Sequence, residues 1–255
     1  MTGYIVGRLL QIPITLGIIL IISFVLIQAA PGDPVAALAG DYVTQEYRER
    51  IIQHYGLDQS LWQQGIRYFQ NVLRGNFGDS YYFKASVAQV IGERLPQTLL
   101  LVIPSVILSS LIGILLGFIA TKSANPVLSS GIPLCATLLN SIPIFWLAYL
   151  LLLFFSVKLE WFPIKGMVNA RIMSTGIDYF LDVLHHLALP LLTMVLSQLA
   201  QILLLTRTRL REEIQNPYFR TALSKGLSQR RATIYHALPN AMLPVITVIG
   251  SRFGF

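Results

Sequence analysis

A stripe of polar side chains and a pair of histidines are the residues of this sequence whose types could do chemistry. Thr193, Ser197 and Gln201 recur at every fourth position, with Gln198 adjacent. On a helix they form one polar face, able either to hydrogen-bond a neighbouring helix or to line a route for a polar solute. Asn140 and Ser141, beside Pro143, leave the same two choices open. His185 and His186 could pass a metal ion inward, but side chains at i and i+1 diverge on a helix, so partly solvated interfacial imidazoles are the preferred reading. No catalytic constellation accompanies them: the sequence has no G-x-x-x-x-G-K-S/T phosphate loop, no H-E-x-x-H and no G-x-S-x-G. Its one cysteine, Cys135, allows no internal disulfide and no paired metal site. The expectation is a chain without a catalytic site, metal or cofactor of its own.

The elements that must position these residues are set by composition. Of 255 residues, 54% are hydrophobic and 12% charged, about half the ~25% charged share of soluble domains. Cutting at every Asp, Glu, Lys and Arg leaves five uncharged runs of twenty residues or more: Leu9 to Gly32, Leu95 to Thr121, Ser123 to Val157, Val183 to Thr206 and Ala232 to Ser251. A helix of ~20 residues covers a hydrocarbon core of ~30 Å. The pattern predicts an all-α polytopic membrane protein with five recognisable spans and excludes a soluble enzyme, a disordered tail and a disulfide scaffold. The first run exceeds the ~7–15 residues of a signal-peptide core, and Ala29 and Ala30 make a weak cleavage site, so it is read as a retained span. The 35-residue run from Ser123 is read as one helix from about Pro133 to Val157, preceded by a short inner turn. No acidic residue falls inside any run, whereas proton-coupled pumps generally keep one in the membrane; the chain is not expected to supply its own energy.

Charge asymmetry orients the spans. Residues 1–8, Lys122 and Arg207 to Arg231 hold nine Lys/Arg in 34 residues, whereas Asp33 to Arg94 and Lys158 to Asp182 hold nine in 87. Basic residues concentrate in cytoplasmic loops. The division that follows is a cytoplasmic N-terminus (1–8), a first transmembrane helix (9–32), an external amphipathic-helix loop (33–94) and a transmembrane core (95–255) containing an inner loop at 207–238. Within the external loop, Tyr47, Ile51 and Tyr55 share a helix face ended by Gly56. Ser60 with Gln63 forms a capping box ahead of Trp62, Ile66, Phe69 and Leu73, stopped by Gly75, and Ser86 with Gln89 opens a third helix carrying Val87, Val90 and Ile91. In the second span Ser105, Ser109, Gly113 and Gly117 recur every four residues, a groove that lets another helix approach closely or that lines a route.

The inner loop reads NPYFRTALSKGLSQRRATIYHALPNAMLP. Asn216 suits an N-cap, Pro217 the first helical position and Gly226 a C-terminal stop, giving a helix of about ten residues and a second begun at Ser228. Phe219 and Leu223 lie one turn apart beside Arg220 and Lys225, so a knob with an apolar centre and a basic rim is expected to face water and a protein partner. With no base-stacking platform, topology and anionic lipid explain its charge better than nucleic acid.

This loop resembles the coupling-loop motif of ABC importer permeases, E-A-A, three residues, Gly, nine residues, Ile, any residue, Leu-Pro. Ala222, Gly226 and Leu238-Pro239 match, while Arg220 takes the acidic position and His236 the isoleucine. Those departures are similar to the dipeptide, oligopeptide and nickel branch, where a form close to R-T-A-x-x-K-G-L-S-x-R-R is usual. Further stretches support that branch: G-R-L-L near the N-terminus, A-P-G-D-P-V (Ala30 to Val35), Y-G-L-D (Tyr55 to Asp58), L-R-G-N-F-G-D-S (Leu73 to Ser80) and S-I-P-I-F-W-L (Ser141 to Leu147).

The resemblance implies a type I importer permease-like bundle in the bacterial cytoplasmic membrane, forming half of a translocation pathway. A second homologous permease would complete the pore, two ATPase subunits would bind ATP and Mg and dock on the inner loops, and a solute-binding protein would deliver cargo. Arg220, Ala222, Lys225, Gly226 and Leu227 would then belong to the coupling element in the ATPase groove. Peptides are the expected cargo, with nickel or a metal chelate as the alternative. Family members usually continue to a sixth span, so a fragment or truncated product is expected. The rivals are a self-sufficient carrier or channel and a regulator that binds an ATPase without conducting.

Overall fold

The structure is a computed structural model that describes residues 2–31, 44–46, 49, 52, 53, 56–80, 82–169 and 175–254. The helix expected through Tyr47, Ile51 and Tyr55, and most of the Ala30 to Val35 motif, lie outside the described residues. The chain divides into two compact units, Met1–Leu95 and Pro96–Phe255.

In the first unit, α1 (Thr2–Ala29) is a single apolar helix with Pro13 inside it. None of its apolar window is buried by the rest of the chain. α2 (Leu61–Leu73) forms where the capping box sets it: Ser60 Oγ accepts from the Gln63 amide and the Gln63 side chain accepts from the Ser60 amide. One face of α2 lies on the far end of α1, with the Phe24 and Tyr68 rings 5.8 Å apart and Gln28 Nε2 donating to Gln64 Oε1 at 2.7 Å. Trp62 and Leu73 remain exposed. Asp79–Ser80 pairs antiparallel with Ala85–Ser86 in a two-residue ribbon that the helical pattern did not foretell.

α3 (Val87–Lys122) starts at Ser86, whose Oγ accepts from the Gln89 amide, but the Gln89 side chain turns forward to Glu93 and leaves the box half made. The piece carrying Val87, Val90 and Ile91 is therefore no separate helix; it continues through Pro96 and Pro104 into the second span. Proline removes one backbone donor without ending a helix whose neighbouring turns remain bonded.

The single helix expected from Pro133 to Val157 is broken. A π-helical turn at Val127–Gly131, preceded by a local bond in which Asn125 Oδ1 accepts from the Val127 amide at 2.9 Å, leads into α4 (Ile132–Asn140); α5 (Ile144–Leu151) follows and runs on as a π-helical segment to Lys158. The two halves meet at 98°. Pro143 supplies no N–H and pushes Ile142 out of helical geometry, while Ser141 Oγ turns back to the Thr137 carbonyl. Each half measures at most ~23 Å, short of a ~30 Å core.

α6 (Ile177–Gln215) carries Pro190 and does not stop at Thr206, where the apolar run ends. The chain then turns into α7 (Pro217–Ser224), eight residues, followed by α8 (Gln229–Ala232), a π-helical turn at Thr233–Ala237 and α9 (Leu238–Ser251). The last span thus begins at Gln229, not near Pro239, because the π-helical turn at Thr233–Ala237 carries the helix into α9 ahead of Pro239. Val6–Ala29, Val87–Lys122, Ile177–Gln215 and Gln229–Ser251 are each long and apolar enough to cross a membrane, and the bent pair makes a fifth where both halves form one span.

The small residues of α3 lie against α6. Ser105 and Ser109 are fully buried, Ser109 Oγ is 3.4 Å from Gln198 Oε1, and a Cβ on Gly113 or Gly117 would come within 3.0 Å of Ile202 or 2.8 Å of Thr206. Such proximity is how membrane helices gain dispersion contact without a hydrophobic drive.

Candidate coupling hairpin and helix-lined cavity

The chain from Asn216 to Ala237 is a hairpin held by its own apolar centre. Asn216 occupies the N-cap position with extended backbone, but its side chain makes no cap bond; it donates to Glu213 Oε2 at 3.0 Å, and the Tyr218 hydroxyl donates to the same oxygen. Burial pushes the Tyr218 phenol up, the Glu213 carboxylate adds to this, and Asn240 opposes it. α7 ends where Gly226 takes φ +87°, and Ser228 Oγ accepts from the Arg231 amide to open α8.

The expected apolar knob does not face water. Phe219 is 2% exposed, and with Ala222 it packs against Leu210, Ala232, Ala237 and Ala241, flanked by Phe118, Leu227 and Met242. The helical period explains the inversion: residues 219 and 222 point back to the shaft of α6, while 220 and 223 point away. Arg220, Leu223, Lys225 and Gly226 are exposed, joined by Arg230 and Arg231 across the turn, and Leu227 is half-buried. The surface is basic, with the apolar side chain of Leu223 among the charges and the rings of Tyr218 and Tyr235 also exposed.

A cavity of about 510 Å³ lies between α5, the N-terminal half of α6 and the segment after Lys158, with Phe145, Ile164, Lys165, His186, Thr193 and Met194 among its lining. His185 and Asp182 strap that segment down, with His186 bracing Asp182. His185 Nε2 donates to the Trp161 carbonyl at 2.7 Å, while His186 Nδ1 sits 3.1 Å from Asp182 Oδ1, and Asp182 Oδ2 accepts from the Asn169 amide at 2.7 Å. Among the described residues, no group of three or more His, Cys, Asp or Glu could hold a metal ion.

The structure does not bring the five pathway candidates together. Asn140 and Ser141 are exposed at the break, Ser197 is half-buried, Gln198 is buried on Ser109, and exposed Gln201 accepts from Arg252. None of the five lines the cavity, whereas Thr193 of the same stripe does.

Residues 113–255 match the sequence family described as binding-protein-dependent transport system inner membrane component, and residues 1–102 match its N-terminal counterpart. The chain belongs to this family. It is 37% identical over 252 residues to the oligopeptide transport system permease protein AppB of Bacillus subtilis (strain 168), covering 98% of this chain and 78% of AppB. The di/tripeptide transport system permease protein DppB of Pseudomonas aeruginosa is 33% identical over 270 residues (100% and 80%), and the dipeptide transport system permease protein DppB of Escherichia coli (strain K12) is 32% identical over 273 (100% and 80%).

In this permease the hairpin after α6 is thus a short projection on a long helical shaft. Phe118, which closes the hairpin core from α3, carried no local signal, because a lone Phe in an apolar run looks like any lipid-facing residue. Glu213 was legible only as a charge.

Proposed function

We propose that the chain forms half of the translocation pathway of an ATP-driven peptide importer, paired with a second permease, and that the hairpin Pro217–Ala232 seats in an ATPase subunit. Two ATPases would bind ATP and Mg, and a solute-binding protein would deliver cargo on the opposite side. The reading rests on the hairpin: Phe219 and Ala222 anchor it to α6 while Arg220, Leu223 and Lys225 stand outside. A rigid projection of that kind transmits motion of a docked engine to the α6 shaft, biasing inward- against outward-open states. Peptides are favoured over nickel because the relatives above are named for oligopeptide, di/tripeptide and dipeptide transport.

The test is ATPase activity of the reconstituted complex with and without peptide-loaded binding protein. Arg220→Glu with Leu223→Asp should cut the stimulated rate at least about tenfold, a loss of ~1.4 kcal/mol in coupling, while the unstimulated rate of the free ATPase stays the same. Unchanged stimulation rules out the hairpin as the coupling element. Peptide uptake by this chain alone, without ATP, supports the self-sufficient carrier instead.

A further inference from the structure

A second cavity, separate from the one at the histidine straps, lies toward the hairpin end of the helical core. It is a groove of about 380 Å³ between the Val127–Asn140 half-helix and α6, with Leu116, Val127, Leu128, Ile132, Cys135 and Leu203 in its walls. No lining side chain is charged or carries a hydroxyl. Val127 is 72% and Leu128 38% exposed, so the groove opens sideways.

One end of this groove is cationic. Arg207 lies one turn beyond Leu203 on α6, and its Nη2 donates at 3.1 Å to the carbonyl of Ser129, in the π-helical turn that forms the groove's wall. Its Nε is buried and has no hydrogen-bond partner. Arg211, one further turn along, is close enough to repel it. Among the described residues no carboxylate pairs with Arg207 or Arg211; on the same helix the ion pairs of Asp182 and Glu212 go to His186 and Arg209. Two like charges beside an apolar slot, with an N–H left unbonded, are an incomplete arrangement.

We infer that the groove binds an anionic phospholipid, one acyl chain lying between the half-helix and α6 and the phosphate held by Arg207 and Arg211. A planar guanidinium suits a phosphate, offering two donors to two oxygens. A helix of a partner subunit would fill the apolar part yet leave the guanidinium charge uncompensated. A zwitterionic lipid brings an ammonium group that offsets the attraction its phosphate gains. The groove touches neither the exposed face of the hairpin nor the cavity at the straps, so the inference stands apart from the proposed function.

Cys135, the one cysteine in the sequence, is exposed in the groove wall and reports occupancy. The assembled complex is delipidated in detergent, titrated with phosphatidylglycerol or phosphatidylcholine, and treated with N-ethylmaleimide, and alkylation of the Cys135 peptide is followed by mass spectrometry. Phosphatidylglycerol should protect at a concentration roughly tenfold or more below phosphatidylcholine, since two basic groups contribute, and Arg207→Gln with Arg211→Gln should erase the difference. Leu128→Trp, which fills the slot and keeps both arginines, should reduce the phosphatidylglycerol that co-purifies. Equal protection by the two lipids, protection by neither, or a Cys135 already unreactive in the delipidated complex because a partner covers it, each overturns the inference.

Discussion

Gly117 and Thr206 occupy one contact from opposite sides, and they respond to substitution in opposite directions. A Cβ at Gly117 would stand 2.8 Å from Thr206 Cβ and 2.9 Å from the Leu203 carbonyl, and backbone cannot swing aside. Gly117→Ala should therefore separate α3 from α6 and destabilise by ~1–3 kcal/mol. Thr206 Oγ1 is buried and has no partner, so Thr206→Val, which replaces the hydroxyl with a methyl of similar shape, should be neutral or stabilise by ~1 kcal/mol. Thermal unfolding of the detergent-solubilised complex reads both. Equal melting temperatures for the two variants would contradict the close approach. Gly113 and Gly117 were visible as a spacing, but the partner helix was not, because nothing in a period of four names the surface that fills it.

At the scale of elements, caps and turns were the legible part. The Ser60–Gln63 box, the Pro217 start, the Gly226 stop and the Ser228 cap all fall at positions the chain spells out, since each depends on residues within a few places of one another. Helix ends set by hydropathy were misplaced. α6 runs on to Gln215 because loss of apolar character at Arg207 changes the solvent a helix meets, not its backbone bonds. The hairpin's apolar centre was inverted for a similar reason: Phe219 and Leu223 are one turn apart, but only the position of Leu210, Ala232 and Phe118 decides which side is covered. Gly226 at φ +87° admits no Cβ without strain, so Gly226→Ala should cost ~1–2 kcal/mol locally. It should lower peptide-stimulated ATPase activity while leaving assembly of the two permeases measurable by co-purification. Wild-type stimulation in that variant would mean the turn geometry is not used in coupling.

At the scale of the molecule, the testable quantity is sidedness. The charge asymmetry predicts the hairpin in the cytoplasm and the loop containing Tyr82 outside. With Cys135 replaced by Ser, a cysteine at exposed Leu223 should resist a membrane-impermeant maleimide in intact cells and react after permeabilisation, whereas one at exposed Tyr82 should react in both. Labelling of position 223 in intact cells would remove the basis for an ATPase on that side. The bent pair at Ser141–Pro143 belongs to this scale too, because a 98° break decides whether 127–158 crosses or returns. The same labelling at exposed Trp161 reports which.

The sequence by itself determined the solvent and the family: long uncharged runs demand lipid around helices, and the Asn216–Pro239 motif with its flanking motifs, in order, marks an importer permease. These are properties of composition and local order, which no fold can alter. The tertiary structure alone decided that Phe219 is an anchor, that His185 straps the segment at Trp161, that Gln198 meets Ser109, and that Arg207 stands unneutralised beside an apolar groove. Each of those facts pairs residues far apart in the chain, and burial belongs to the pair, not to either residue.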